Sequence, residues 1–186
     1  MAKTVAPLTF EIPAVGKVTA NALPDPFDAR DFEYRPRLQL LPTRLDQRDI
    51  KVPPYVMLQQ GESCTGHAIA TVINTVLAHA DRPREGQAPL YPVSPYMLYR
   101  LGRRYDEFQG EADAGSSLRG VLKGWFNHGV SLLVDWPNLV EDPEPDPGDP
   151  TFQQRCRPRP LGAFYRVNPF RLDDMQSAIS ELHAIA

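Results

Sequence analysis

The sequence predicts an α+β protein, and three observations carry that expectation. Four segments space their apolar residues at helical intervals, beginning near Cys64, Pro95, Leu118 and Leu172. Two short segments, Leu8–Ile12 and Gly162–Val167, read as strands. Proline occurs 20 times in 186 residues, about twice the usual ~5%. It confines regular structure to short runs between extended chain.

Composition narrows the class further. An apolar fraction of 42% permits a real core, and a net charge of −3 without a concentrated basic face argues against nucleic acid. Two cysteines, Cys64 and Cys156, are too few for a disulfide-stapled secreted scaffold. Residues 1–13 hold one lysine and no continuous apolar core, so no signal peptide is expected. No apolar run approaches the ~20 residues of a membrane span. The expectation is a soluble, cytoplasmic protein with no membrane partner, no metal and no cofactor.

Residues 1–44 read as an extended N-terminal arm, broken by Pro7, Pro13, Pro24, Pro26, Pro36 and Pro42. Extended chain then leads to Met57-Leu58-Gln59-Gln60-Gly61-Glu62-Ser63-Cys64. From there Ile69, Val72, Ile73, Val76, Leu77 and Ala80 form the stripe of a buried helix, with Ser63 as its N-cap. A thiol in the first turn meets backbone N–H groups without intrahelical acceptors and the positive end of the helix dipole. Both favour thiolate, which is how a cysteine becomes a nucleophile near neutral pH.

The second helix runs from Pro95 to about Tyr105, capped by Ser94, with Arg100, Arg103 and Arg104 opposite its apolar side. Ser116 or Ser117 caps a third, which Gly129 ends after His128. Val130–Val134 reads as extended. Residues 141–160 read as an acidic, proline-rich loop that holds Cys156 between two arginines, a setting that could lower its pKa; with no other context, Cys156 reads as incidental. Leu172 to about His183 is the last helix.

Gln-Gly, then Ser63-Cys64 opening a helix with small residues at Gly66, Ala68 and Ala70, resembles the papain-like (C1) cysteine peptidases, in a form similar to bacterial members. Leu45-Asp46-Gln47-Arg48 is similar to the segment where the mature enzyme of that family begins. Ser94-Pro95-Tyr96-Met97-Leu98-Tyr99 resembles its second helix. Gly115-Ser116-Ser117-Leu118 through Gly129-Val130 and Trp136-Pro137 resembles the wall of its substrate cleft. The resemblance implies a helical lobe over 45–140 with a long central helix starting at Cys64. Residues 161–186 would then be the first strand and helix of a β-barrel lobe. It also implies roles: Cys64 as nucleophile, Gln60 as oxyanion donor, Gly115 and Ser116 as substrate-binding residues, and a peptide or protein as substrate. The family's glutamine stands six residues before the cysteine, Gln60 four and Gln59 five, so either could serve.

The family's base, a histidine, and its orienting asparagine are expected about 130–150 residues after the cysteine, beyond residue 186. His67, on the cysteine's own helix, and His79 and His128, at helix ends, read as structural. His183, in His183-Ala184-Ile185, lacks the strands that should precede a base. The expectation is therefore a truncated chain, half of an active site, with a second lobe or second chain supplying histidine and asparagine to an apolar surface around the Cys64 helix. The alternative is an inactive papain-like lobe that binds peptides or a partner. A related cysteine acyl transferase is a third reading.

Overall fold

The computed structural model describes residues 8–12, 16–20, 25, 28–29, 31–37, 57–80, 91–106, 115–139 and 145–186. Helices dominate. A hairpin of β1 (Leu8–Ile12) and β2 (Gly16–Ala20), antiparallel with Leu8 opposite Ala20 and Ile12 opposite Gly16, precedes five helices. These are α1 (Cys64–Ala80), α2 (Pro95–Tyr105), α3 (Leu118–His128), α4 (Pro150–Cys156) and α5 (Leu172–Leu182). Among the described residues no helix is long and apolar enough to cross a membrane.

Helix α2, rather than α1, is the innermost. It packs on both α1 and α3 and buries Pro95 through Tyr99, then Leu101 and Gly102. The core joins Ile69, Ala70 and Ile73 of α1 to Met97, Leu98 and Leu101 of α2, Val121 of α3, Val130 and Trp136. The outer face of α1 carries Ala68, Thr71 and Val76 exposed to solvent, with Val72 and Leu77 half-buried. A cavity of about 890 Å³ lies against that face, walled also by Leu118, Leu122 and Trp125 of α3 and by residues 158–167 and 181–186.

The helix starts follow their capping residues. Ser94 accepts from Met97 N–H at 3.1 Å while its hydroxyl donates to the Trp136 carbonyl at 2.6 Å, so one side chain begins α2 and anchors the loop after α3. Ser117, the second of the two candidates, accepts from Gly120 N–H at 3.0 Å. Gly129 ends α3 with φ 71°, the left-handed region where a side chain is strained. The run expected extended at 130–134 pairs with residues 92–94 at one antiparallel bridge, Val93 to Leu132.

Two expectations need correction. Residues 141–160 are not loop throughout. Asp149 accepts from Thr151 N–H at 2.7 Å and Phe152 N–H at 2.9 Å, and Pro150 supplies the preset φ of a first helical position, so α4 forms and buries Phe152 and Cys156. The acid and proline that read as loop are its start signal. Residues 162–167 form no strand; Arg166 makes a single parallel bridge to Glu33. One bridge without further neighbouring strands does not build a sheet.

Helices α1 and α2 meet closely at Gly66. A methyl group there would lie 2.9 Å from the Tyr99 backbone nitrogen and also strike the Pro95 carbonyl, and neither can move aside. Gly66→Ala is expected to destabilise the protein by about 1–3 kcal/mol or more through overpacking, read as a lower urea midpoint at unchanged m-value. Gly148→Ala, beside an exposed aspartate that can give way, is the control and leaves the midpoint nearly unmoved.

Candidate active site

The turn before α1 is held from four directions. Gly61 takes φ 53°, which lets the chain reverse in front of the helix. The Ser63 hydroxyl turns back and donates to the Gln60 carbonyl, so Ser63 ties the turn rather than capping α1 with its side chain. His67 Nδ1 donates to the Ser63 carbonyl at 2.9 Å, alongside the His67 backbone N–H at 3.1 Å. Tyr96, from α2, donates its hydroxyl to the Leu58 carbonyl at 3.3 Å and meets the His67 ring edge-on at 5.3 Å. Leu139 N–H donates to Gln60 Oε1 at 3.3 Å.

Cys64 is the first residue of α1 and is half-buried, between the buried side chains of Ser63 and Thr65. Thr65 Oγ1 meets Ser116 Oγ at 3.3 Å, which couples the helix start to the strip before α3. Burial pushes the Cys64 thiol above its ordinary pKa, and the nearby Glu62 carboxylate adds to that. The Thr65 N–H and its own N–H pull in the other direction without reversing it. The expected lowering by the helix start is therefore outweighed, because loss of water costs the thiolate more than two N–H groups return.

The two glutamines differ in what they hold. Gln59 uses its amide nitrogen to reach the Gly61 carbonyl at 3.0 Å. Gln60 is held through its oxygen, so its amide N–H groups remain uncommitted among the described residues. Gly115 and Ser116 are both buried; the Ser116 hydroxyl is engaged with Thr65 and donates to the Ser117 carbonyl at 3.3 Å. As placed, Ser116 braces the start of α1 and presents no hydroxyl to a ligand.

The described histidine side chains are engaged elsewhere, and the side chain of His79 lies outside the described residues. His67 is buried within α1 and bound to Ser63. His128 bonds the Tyr105 hydroxyl through Nε2 at 2.7 Å, and burial lowers its pKa, which favours the neutral form. His183 caps α5 with φ 67° and lines the cavity behind α1, which Cys64 does not border. Cys156 is the reverse of a lowered-pKa thiol. It is fully buried, 3.9 Å from Met97 Sδ, and burial pushes its pKa up to about 11 despite Arg155 and Arg159.

The His67 hook and the Leu139 contact escaped sequence reasoning. His67 sits one helical turn beyond Ser63, a spacing that places a ring near the first carbonyl but that the sequence does not distinguish from ordinary helix-face packing. Leu139 lies 79 residues from Gln60 and carries no local signal.

No family model matches the sequence, and no curated protein matches it. Among solved structures the chain is similar to xylellain, a cysteine protease from Xylella fastidiosa, with a TM-score of 0.65 and 23% identity. The similarity covers 87% of this chain and 62% of that one, so the chain spans less than two thirds of xylellain's length. At this identity the likeness shows the fold, that of a papain-like cysteine protease.

At pH 8 iodoacetamide is expected to modify Cys64 first and Cys156 only after unfolding, as mass spectrometry of the digested protein would show. The Cys64 rate should rise with a midpoint above the usual ~8.5 of a thiol, because burial holds the proton on, and Glu62→Gln should move that midpoint down. A midpoint well below 8.5 would contradict the burial effect.

Proposed function

We propose that the chain is the helical part of a papain-like cysteine peptidase of the C1 type, with Cys64 as nucleophile and a peptide or protein as substrate. The observation that carries this reading is the presentation of Cys64: a half-exposed thiol at the first position of a helix whose flanking residues are buried. The xylellain-like fold supports it.

In the proposed reaction the Cys64 sulfur attacks the peptide carbonyl carbon, and its proton passes to a histidine outside residues 1–186. The carbonyl oxygen becomes an oxyanion facing the Cys64 N–H and the Gln60 amide, whose nitrogen has no partner among the described residues. Collapse expels the amine with that proton and leaves a thioester, which water hydrolyses to regenerate the thiol. The imidazolium of such a partner would also reverse the pKa of Cys64, since a cation beside the sulfur favours thiolate. The histidine and its orienting asparagine are proposed to come from the rest of the protein or from a second chain.

The raised thiol pKa favours a second reading, an inactive lobe that only binds peptides. Peptide hydrolysis separates the two. The 186-residue chain alone is expected to show no turnover, and the complete protein encoded by its reading frame to hydrolyse peptides. Cys64→Ala should abolish turnover, and Gln60→Ala should lower kcat by about 10²–10³, with Gln59→Ala far milder. Peptide binding by the complete protein without turnover would favour the inactive reading, and turnover by the 186-residue chain would refute the split site.

A further inference from the structure

The resemblance to papain-like enzymes places the start of a mature chain near Leu45, which would make the preceding arm removable. The contacts of residues 25–37 point elsewhere. The Asp31 carboxylate meets the Arg119 guanidinium end-on, accepting from Nη1 at Oδ1 (2.7 Å) and from Nη2 at Oδ2 (2.6 Å), with both side chains nearly buried. Asp28 stands 3.9 Å from the same guanidinium, and Asp25 accepts the Arg119 backbone N–H at 3.0 Å in the first turn of α3. Three aspartates of the arm thus gather on one residue of the helical body. Paired planar groups of this kind fix position as well as charge.

The other end of the segment grips the C-terminal part. Arg166 N–H donates to the Phe32 carbonyl at 2.9 Å, and Tyr34 N–H donates to the Arg166 carbonyl at 2.9 Å. Tyr34 is buried, and that burial, with the Glu181 and Asp174 carboxylates of α5 adding to it, holds its phenol above the ordinary pKa. Arg37 N–H reaches Glu181 Oε1 at 3.3 Å. Helix α5 itself makes no broad helix–helix contact with α1, α2 or α3, yet it buries Asp174, Ser177 and Ala178. The arm supplies cover on that side, and Asp31, Phe32 and Tyr34 close one wall of the cavity behind α1.

We propose that Asp25, Asp28 and residues 31–37 form a permanent strap that fastens residues 162–183 to the helical body and stays bound when the chain is cut before Cys64. This holds whether or not Cys64 is a nucleophile.

A protease recognition sequence placed over residues 45–50 of the 186-residue chain tests it. After cleavage the arm is expected to co-elute with the rest in gel filtration, and the Arg166 amide to keep its protection from hydrogen exchange. Arg119→Met should speed exchange at Arg166 and along α5 at least about tenfold, leaving Leu98–Leu101 of α2 unchanged. Separation of the arm on cleavage overturns the proposal. So does unchanged exchange at Arg166 in Arg119→Met, or loss of protection in α2 to the same degree, which would make Arg119 part of the core rather than of a strap.

Discussion

The close approach of α1 to α2 at Gly66 sets where everything else can lie. With no side chain at that position, the Pro95 carbonyl and the Tyr99 backbone sit against α1, two residues beyond Cys64. Tyr96, on the same turn of α2, can then reach both the His67 ring and the Leu58 carbonyl. Ser94, at the start of that turn, holds the Trp136 loop, which runs on to Leu139 and its contact with Gln60. One glycine contact thereby positions the cysteine, the turn before it and the loop that orients the glutamine.

The same packing creates the chemical tension at Cys64. Burial gives the thiol a fixed place but disfavours its ionised form, and the N–H groups at the helix start do not offset that loss. A nucleophile needs a cation brought close. The described histidines have other partners, His67 on Ser63 and His128 on Tyr105. In the proposed peptidase the missing charge arrives from outside the 186 residues, which makes ionisation of Cys64 conditional on assembly of the whole site.

Much of the fold was legible because local chemistry decided it. Ser94-Pro95 and Ser117 started their helices where cap preferences place them, and Gly129 ended one where a positive φ was needed. Helix α4 was missed because acid and proline signal both a loop and a helix start, and only the burial of Phe152 and Cys156 decides between them. That burial also sets the Cys156 thiol, since Arg159 and Arg155 lower its pKa less than the loss of water raises it. The resemblance singled out Cys64, yet the difference between Gln59 and Gln60 was not readable: it depends on which amide atom meets Gly61 and which meets Leu139. The strap was invisible for the same reason, because Asp31 and Arg119 are 88 residues apart and each alone is an ordinary charge.

The central claim is that Cys64 is placed to attack a carbonyl. A peptide aldehyde labelled with carbon-13 at its carbonyl carbon, bound to the complete protein and read by NMR as the hemithioacetal carbon, tests it most directly. One adduct is expected, on Cys64, lost in Cys64→Ser and weakened in Gln60→Ala. An adduct on Cys156, or none while the aldehyde still binds, would contradict it.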